Sequence, residues 1–254
     1  MKQSIFSCIV AASVTVLGLA LAPAPANAQL TRSWVSQIGD DANPCTYTAP
    51  CKSFAGAMAK TAAFGAIDVK DPGGYGAVTI TKSVTIRSQF EAGILAAGTD
   101  GITVTVGPND RVVLEGLDFD GGGTGLNGVN VSNSGTVQIV RCAIRGFVQN
   151  GVNVAGNAGA RAYVYDSIIL NNGGGLNIQG SGGAANMAIV EKSLLDNNKS
   201  FATQVDAAGT LTLIGSTLTG SPSSIVAAKG AVVVSYGNNV LQGNSAPTQT
   251  VHPQ

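Results

Sequence analysis

The chain has 254 residues with 14 basic and 14 acidic side chains, so its formal net charge is zero, and only 11% of its residues are charged. The charges form neither a basic block nor an acidic tail, which excludes nucleic acid as an expected partner. The composition, which includes 34 glycines, is typical of a sheet-rich domain with many tight turns.

Residues 1–28 have the pattern of a cleaved export signal. Lys2 precedes an apolar run from Ile9 to Ala22, and the segment ends in the small-residue sequence ANA. An uncleaved membrane anchor is the alternative, but the run is short for a bilayer and is followed directly by two prolines. We therefore expect cleavage after Ala28 and a secreted or periplasmic protein that has no membrane contact once the signal is removed.

Residues 29–64 are predicted to form an N-terminal loop and a capping helix. Cys45 and Cys51 bracket the short sequence CTYTAPC, and in an oxidising compartment this spacing predicts a local disulfide. The sequence CKSFAGAMAKTAAF, at 51–64, is the helix-like segment, with Phe54 and Met58 at helical spacing. We expect this helix to cover the first exposed strand edges.

Residues 65–244 carry a repeated pattern in which a polar residue separates two apolar ones. GVNV occurs at 128–131 and at 151–154, and the related segments are AIDV at 66–69, GITV at 101–104, GLNI at 175–178, ATQV at 202–205 and SIVA at 224–227. From Gly101 onward the copies are 22 to 27 residues apart, a period that is typical of stacked solenoid repeats. We attribute the recurring glycine to a tight turn before each strand.

A second alternating pattern lies between these copies, for example VQIVRCAI from Val137 and LTLIGSTL from Leu211. Its predicted inward column is Leu114, Ile139, Val164, Val190, Leu213 and Val234. Its predicted bend column is Leu117, Cys142, Ser167, Ser193, Ser216 and Gly237. The period of two predicts about three short strands per repeat and excludes helices. Cys142 takes the place of a serine in this column, so we expect a buried structural thiol.

The chain resembles the right-handed parallel β-helix proteins of the pectin-lyase-like superfamily over about residues 31–244. The resemblance rests on WVSQIGDDANPC, PCKSFAGAMAK, DPGGYGAVTITKSVTI, the GVNV strands and the closing YGNN. It implies an all-β solenoid with a short N-terminal capping helix, followed by a flexible tail at 245–254. The superfamily includes lyases and hydrolases of acidic polysaccharides, pectin esterases, phage tail fibres and adhesive proteins, so the fold does not choose a function.

The GVNV strand is similar to the strand that lines the substrate groove in enzymes of the superfamily. Its outward column would be Asp68, Thr103, Asn130, Asn153, Asn177, Gln204 and Val226. Amides stacked along an axis can hydrogen-bond to one another or to sugar hydroxyls. Two roles are therefore open for Asn130, Asn153, Asn177 and Gln204, a structural ladder and a sugar-binding strip.

Charged residues at the turn before this strand are the remaining candidates for chemistry. Equivalent positions are Asp120, Arg145, Leu170, Asp196 and Thr219, so Asp120 and Arg145 are expected to be neighbours on successive coils. The pair is interpreted either as a surface salt bridge or as part of a lyase site with Arg145 as base or charge stabiliser. The candidate metal ligands of such a site are Asp118, Asp120 and Asp196; no cofactor is otherwise expected.

The outer surface of the second strand carries two further features. Arg141, Asp166 and Lys192 alternate in sign along the axis and predict a solvated charge ladder. Tyr163 and Tyr165 are expected to point outward on an apolar face that needs a cover, either a loop, the tail or a partner.

These patterns favour an exported β-helix protein that acts as a binding or structural surface element, with a polysaccharide or a cell-surface glycan as its expected partner. The alternative is a carbohydrate-active enzyme, foremost a polysaccharide lyase acting on a uronate-containing polymer. A third hypothesis is a fibre-like or adhesive oligomer.

Overall fold

The computed structural model describes residues 29–180, 185–243 and 246–251. These residues form a right-handed parallel β-solenoid in which each complete coil contributes one strand to each of three sheets, and the coils at the two ends are incomplete. The predicted fold class is therefore confirmed. The export signal predicted for residues 1–28 lies outside the described residues.

The strands are numbered in chain order. The ten-stranded sheet contains β1 (Leu30–Val35), β2 (Thr61–Val69), β5 (Val84–Arg87), β8 (Arg111–Glu115), β11 (Thr136–Val140), β14 (Arg161–Tyr165), β17 (Met187–Glu191), β20 (Thr210–Ile214), β23 (Val232–Ser235) and β25 (Gln249–Thr250). The eight-stranded sheet contains β3 (Gly73–Gly74), β6 (Ala92–Leu95), β9 (Asp118–Asp120), β12 (Ala143–Arg145), β15 (Ile168–Leu170), β18 (Leu194–Asp196), β21 (Thr217–Thr219) and β24 (Val240–Leu241). The seven-stranded sheet contains β4 (Val78–Ile80), β7 (Ile102–Val104), β10 (Val129–Val131), β13 (Asn150–Val154), β16 (Gly174–Ile178), β19 (Phe201–Val205) and β22 (Ile225–Ala227).

Aliphatic side chains fill the interior of the solenoid in continuous columns. The predicted inward residues Leu114, Ile139, Val164, Val190 and Leu213 are in register on successive strands, and each is at most 1% exposed. Burial of each such side chain contributes about 1.5–3 kcal/mol. The prediction is wrong by one residue at the last coil, where Ser235 pairs with Leu213 and Val234 faces outward beside Thr212.

A ladder of hydroxyl groups holds the bend between the ten-stranded and eight-stranded sheets. The N–H of Cys142 donates to Ser167 Oγ over 3.1 Å, and Ser167 and Ser193 donate in the same way to the next serine. Cys142 is only 3% exposed, so its predicted burial is confirmed. At the end of the ladder the N–H of Ser216 donates to Asn239 Oδ1 over 2.7 Å, so Asn239 takes the place that the pattern assigned to Gly237.

The glycine of the GVNV repeat is required by close packing, which corrects the expected tight turn. Neither Gly128 nor Gly151 has a positive φ. A Cβ at Gly151 would lie 2.4 Å from Ile169 Cγ2, and one at Gly128 would lie 2.5 Å from the carbonyl oxygen of Gly151 on the next coil. The backbone therefore approaches its neighbours too closely for any side chain.

A second amide ladder lies inside the solenoid and was not predicted from the sequence. Asn172 and Asn198, after β15 and β18, are at most 1% exposed. Asn198 Oδ1 accepts hydrogen bonds from the backbone N–H and the side-chain amide of Asn172, and each asparagine also donates to a backbone carbonyl of the preceding coil. These amides satisfy backbone groups that the turn leaves unpaired.

The N-terminal helix α1 (Phe54–Lys60) is shorter than the predicted segment 51–64. Ser53 caps it by accepting a hydrogen bond from the N–H of Gly56 over 3.0 Å. The helix ends because Thr61 is extended, and its hydroxyl donates to the carbonyl of Ala57 over 2.7 Å. The last four residues of the predicted helical segment, 61–64, are instead the first residues of β2.

The ten-stranded sheet has one more strand at each end than the sequence predicts. β1 lies in the predicted N-terminal loop and pairs with β2, and β25 lies in the predicted flexible tail and pairs with β23. Both strands cover exposed sheet edges. The described residues include no helix with the length and hydrophobicity that crossing a bilayer requires.

Candidate functional site

The predicted amide column forms a hydrogen-bonded ladder on the outside of the seven-stranded sheet. Asn153 Nδ2 donates to Asn130 Oδ1, and Asn177 Nδ2 donates to Asn153 Oδ1, each over 3.1 Å. Asn130 Nδ2 donates in turn to Asp100 Oδ2 over 2.8 Å. The amides therefore bond to one another as a structural ladder does, and their sugar-binding role stays a prediction.

The ladder ends at Asn177, whose Oδ1 is buried without a hydrogen-bond partner among the described residues. Gln204 is in register with Asn177, as predicted. Asp68 does not belong to this column, because β2 lies in the ten-stranded sheet and Thr79 takes the place beside Thr103. An apolar-polar-apolar triplet occurs in all three sheets, so the pattern alone misassigned Asp68.

Arg145 lies between two of its predicted partners on the eight-stranded sheet. It is in register with Asp120, as expected, and forms an ion pair with both oxygens of Asp118, one of them at 3.1 Å. The distance from Arg145 Nη2 to Asp120 Oδ2 is 3.5 Å. The hydrogen bonds that Arg145 donates to Asp118 raise the pKa of Arg145, which makes this guanidinium a poor proton acceptor and argues against its role as a base. Charge stabilisation by Arg145 stays a prediction.

The predicted metal ligands are not brought together. Asp196 lies three coils from Asp120 along the axis, a distance of about 14 Å at about 4.8 Å per strand. Its carboxylate accepts a hydrogen bond from the Thr219 hydroxyl over 2.9 Å. Within the described ranges, no group of three or more His, Cys, Asp or Glu side chains is arranged to hold a metal ion.

A different group of residues forms a cleft at the N-terminal end of the ten-stranded sheet. We call it the arginine cleft; its volume is about 440 Å³. Its floor consists of the outward residues Trp34, Asp68, Arg87 and Glu115, which are consecutive partners on β1, β2, β5 and β8. Its other charged lining residues are Arg32, Lys70 and Arg141.

Asp68 is the anchor of the arginine cleft. Its side chain is 9% exposed and accepts the Nε–H groups of two arginines, Arg32 on one oxygen and Arg87 on the other, the latter over 2.6 Å. Burial alone would raise the pKa of Asp68, but these two arginines hold it below its usual value. In the described part of the chain, the Nη groups of both arginines make no hydrogen bond, so they remain available to a ligand.

Aromatic rings form one wall of the arginine cleft. Tyr47 packs edge-on against Trp34 with ring centroids 5.0 Å apart. The disulfide between Cys45 and Cys51 confirms the predicted pairing and closes the short loop that carries Tyr47. This loop is tied to β1 by backbone hydrogen bonds on both sides of Trp34. Lys70 Nζ lies 4.6 Å from the centre of the Tyr47 ring.

The cleft has an excess of positive charge. Four cationic side chains, Arg32, Lys70, Arg87 and Arg141, face two carboxylates, so the lining has a net charge of +2. The second carboxylate, Glu115, forms an ion pair with Arg141. Exposed clefts that combine one sign of charge with low-dielectric walls concentrate ions of the opposite sign.

The sequence analysis missed this site. Its residues are separated by 36 positions between Arg32 and Asp68 and by 19 between Asp68 and Arg87. The signal in the sequence was the polar residue at the end of each alternating strand, for example in SVTIR and VVLE. Only the register of the sheet shows that these ends are adjacent.

Comparisons with known proteins agree with the fold. Residues 66–246 match a family described as "Right handed beta helix region". A crystal structure of pectate lyase Pel9A gives a TM-score of 0.54 at 15% identity and covers 87% of this chain and 77% of that chain. A rhamnogalacturonan lyase gives a TM-score of 0.34 at 12% identity, over 73% of each chain.

No curated protein sequence gives a significant match. The likeness to the pectate lyase shows a shared fold and carries no residue roles, because the identity is low. The family match spans well over half of the sequence, from within β2 to the residues that follow β24. The chain therefore belongs to the right-handed β-helix family and has a pectin-lyase-like fold.

Proposed function

We propose that this protein is an exported binding element for an acidic polysaccharide, and that the arginine cleft holds the acid groups of the sugar chain. The observation that carries the proposal is the pairing of Asp68 with the Nε–H groups of Arg32 and Arg87. Each guanidinium is thereby oriented while its terminal amino groups stay free.

Orientation of the guanidinium groups before binding favours affinity. An arginine recognises a carboxylate or sulfate through two parallel N–H groups, and the planar group must be placed correctly to make both bonds. Arg32 and Arg87 are about half exposed, so their side chains would otherwise lose conformational freedom on binding. The buried Asp68 reduces that loss.

The aromatic wall supports a sugar as the ligand. Trp34 and Tyr47 line the cleft, with Arg32 Cζ 5.2 Å from the centre of the Trp34 ring and Lys70 Nζ 4.6 Å from that of Tyr47. Tyr47 is 57% exposed, and pyranose rings carry apolar faces that pack on exposed aromatic rings. A cleft of about 440 Å³ is within the usual range for a small-molecule site. A combination of guanidinium groups and aromatic rings suits an acidic sugar better than a neutral one.

The chemistry of Asp68 favours binding over catalysis. Because its pKa lies below the usual value, this carboxylate stays ionised near neutral pH and continues to hold its two arginines. A group that must donate or accept a proton during turnover needs a pKa near the working pH. The disulfide between Cys45 and Cys51 supports export, since such bonds persist in oxidising compartments.

Isothermal titration calorimetry with anionic and neutral polysaccharides tests the proposal. The double variant Arg32→Ala/Arg87→Ala is expected to lower affinity for the anionic polymer at least about tenfold, since each charged hydrogen bond contributes about 1.5–3 kcal/mol. Arg161→Ala is the matched control. Arg161 is an exposed arginine in the same sheet, but it is the first residue of β14, whereas Arg87 is the last residue of β5.

The variant Asp68→Asn separates orientation from simple charge attraction. It removes a negative charge, so attraction alone would raise affinity for a polyanion, whereas loss of the anchor for Arg32 and Arg87 is expected to lower it. Unchanged binding in the double arginine variant would contradict the proposal. Release of unsaturated uronate, measured by absorbance and abolished by Arg145→Ala, would replace binding with the lyase alternative.

A further inference from the structure

Charged residues continue from the arginine cleft along the outer face of the ten-stranded sheet, on two adjacent columns. In register with Glu115, the next three strands carry Val140, Tyr165 and Glu191, so the charged column shifts by one residue to the bend. Asp68, Arg87 and Glu115 are consecutive partners at the ends of their strands. On the next three coils the charge lies on the bend residue that follows the strand. These bend residues are Arg141, Asp166 and Lys192, after β11, β14 and β17. We call the six residues from Asp68 to Lys192 the charge stripe.

The sign of the charge alternates along the six residues of the stripe, and the last coil also carries Glu191 on the strand beside Lys192. Positive groups therefore recur at every second strand, on Arg87, Arg141 and Lys192. Successive strands are about 4.8 Å apart, so these cations are spaced by about 9.6 Å along the axis. Their side chains are 44%, 56% and 62% exposed, in that order, so a ligand lying on the sheet can reach each of them.

The bend residues of the stripe have an unfavourable backbone conformation. Arg141, Asp166 and Lys192 have φ values of 50°, 49° and 48°, in the left-handed region that glycine adopts without strain. The equivalent residues on the flanking coils are Gly116 and Gly215, with φ values of 67° and 53°. Charged side chains thus stand where the same fold uses glycine, which indicates that the side chains themselves are required.

An aromatic ring lies within the stripe. Tyr165 is 36% exposed, and Lys192 Nζ lies 5.4 Å from its ring centre and 3.5 Å from its hydroxyl. Glu191 lies 4.0 Å from the same ammonium group. This arrangement repeats, five strands further along the sheet, the combination of cation and aromatic ring found in the arginine cleft.

We propose that the charge stripe binds one extended polysaccharide chain in which an acidic sugar alternates with an uncharged one. This inference rests on the proposed function and extends it to the class of ligand. Two strand spacings are comparable in length with two linked pyranose rings, so Arg87, Arg141 and Lys192 match acid groups on every second sugar. Glu115 and Asp166 then face the intervening sugars, where a carboxylate would be repelled and a neutral ring is accepted.

Size-matched oligosaccharides test this inference by calorimetry at one fixed ionic strength. The alternating probe is a hyaluronan hexasaccharide, with glucuronate at every second position, and the comparison probe is an oligogalacturonate of six residues, with a uronate at every position. Although the second probe carries more charge, the alternating probe is expected to bind more tightly. Equal or tighter binding of oligogalacturonate would overturn the inference.

Two bend variants locate the contact. Lys192→Gly relieves the unfavourable backbone conformation. It is expected to lower the affinity for the hyaluronan hexasaccharide by about threefold to fivefold, as for the loss of one exposed charge pair. The affinity for a hyaluronan tetrasaccharide is expected to stay unchanged. The tetrasaccharide has only two acid groups, which Arg87 and Arg141 accommodate. Asp166→Gly is expected to increase the affinity for oligogalacturonate more than the affinity for hyaluronan. A Lys192→Gly protein that binds both hyaluronan lengths as wild type does would contradict the stripe.

Failure of the two proposals is distinguishable. If both probes bind equally and Arg32→Ala/Arg87→Ala weakens both, the arginine cleft is a polyanion site and only the alternating register is wrong. If neither probe nor any other anionic polymer binds, the proposed function fails and the inference fails with it.

Discussion

Substitution of Asn198 by alanine tests the inner amide ladder, which holds the turn between the eight-stranded and seven-stranded sheets. Asn198 Oδ1 accepts from the backbone N–H of Asn172 over 3.1 Å and from its side-chain amide over 3.2 Å. Asn198 Nδ2 donates to the carbonyl oxygen of Ile169 over 3.2 Å. Alanine removes all three hydrogen bonds and keeps the backbone unchanged.

The expected loss follows from the burial of these groups. Asn172 is completely buried, so its backbone N–H is left without a partner and without access to water, which costs about 1–3 kcal/mol. Each of the other two hydrogen bonds contributes about 0.5–1.5 kcal/mol net. The free energy of unfolding is therefore expected to fall by about 2–6 kcal/mol.

Guanidinium unfolding followed by far-ultraviolet circular dichroism measures this loss. Asn157→Ala is the matched control, because Asn157 is exposed and its substitution is expected to change stability by less than about 0.5 kcal/mol. A second variant, Asn198→Asp, keeps the acceptor for Asn172 but buries a carboxylate whose pKa is raised by burial, so its stability is expected to increase as the pH falls. Equal stability of Asn198→Ala and Asn157→Ala would refute the role given to the ladder.

Three further predictions concern single residues. Burial raises the pKa of the Cys142 thiol to about 11, so a thiol reagent at neutral pH is expected to label Cys142 only after unfolding; labelling of Cys142 in the folded protein would show that the bend opens. The pKa of Asp68 is held below its usual value of about 3.9 by its two arginines, so the stability from this pair is complete above that value and is lost as the pH falls through the lower, folded-state pKa. Acid unfolding of Asp68→Asn is accordingly expected to lack that dependence on pH. Gly151→Ala forces a methyl group into a space that is too small and is expected to lower the denaturation midpoint by an amount equivalent to about 1–3 kcal/mol, whereas a wild-type midpoint would contradict the close approach.

The interior of the solenoid could be predicted because its signal is local and repeated. The aliphatic column through Ile139, Val164 and Val190 is visible in the alternation of each strand, and the common period fixes its phase. The phase was lost where the repeat length changes. At the last coil the inward residue lies one position, and the bend residue two positions, beyond the predicted ones: Ser235 pairs with Leu213, and Asn239 accepts the hydrogen bond from the N–H of Ser216. A fixed pattern cannot anticipate these shifts.

The candidate site was not predictable in the same way. AIDV at 66–69 has the pattern of GVNV, but every sheet of the solenoid alternates in the same manner, and only strand pairing places Asp68 between Arg32 and Arg87. The inner ladder did leave a signal, the paired asparagines NN at 171–172 and 197–198, each directly after a strand. Residues 198–200, NKS, have the sequence pattern of a glycosylation acceptor, but Asn198 is only 1% exposed.

The spacing of cations on the charge stripe is also favourable for the stability of the folded chain by itself. Side chains in one column of a parallel sheet are about 4.8 Å apart, and like charges at that distance repel. A column of consecutive arginines would therefore destabilise the folded chain, whereas alternating signs let Asp68 pair with Arg87 and Glu115 pair with Arg141. Two strand spacings are then the shortest interval at which such a sheet presents positive charge repeatedly without placing two cations on adjacent strands. A ligand with an acid group on every second sugar matches that interval, and a ligand with one on every sugar does not.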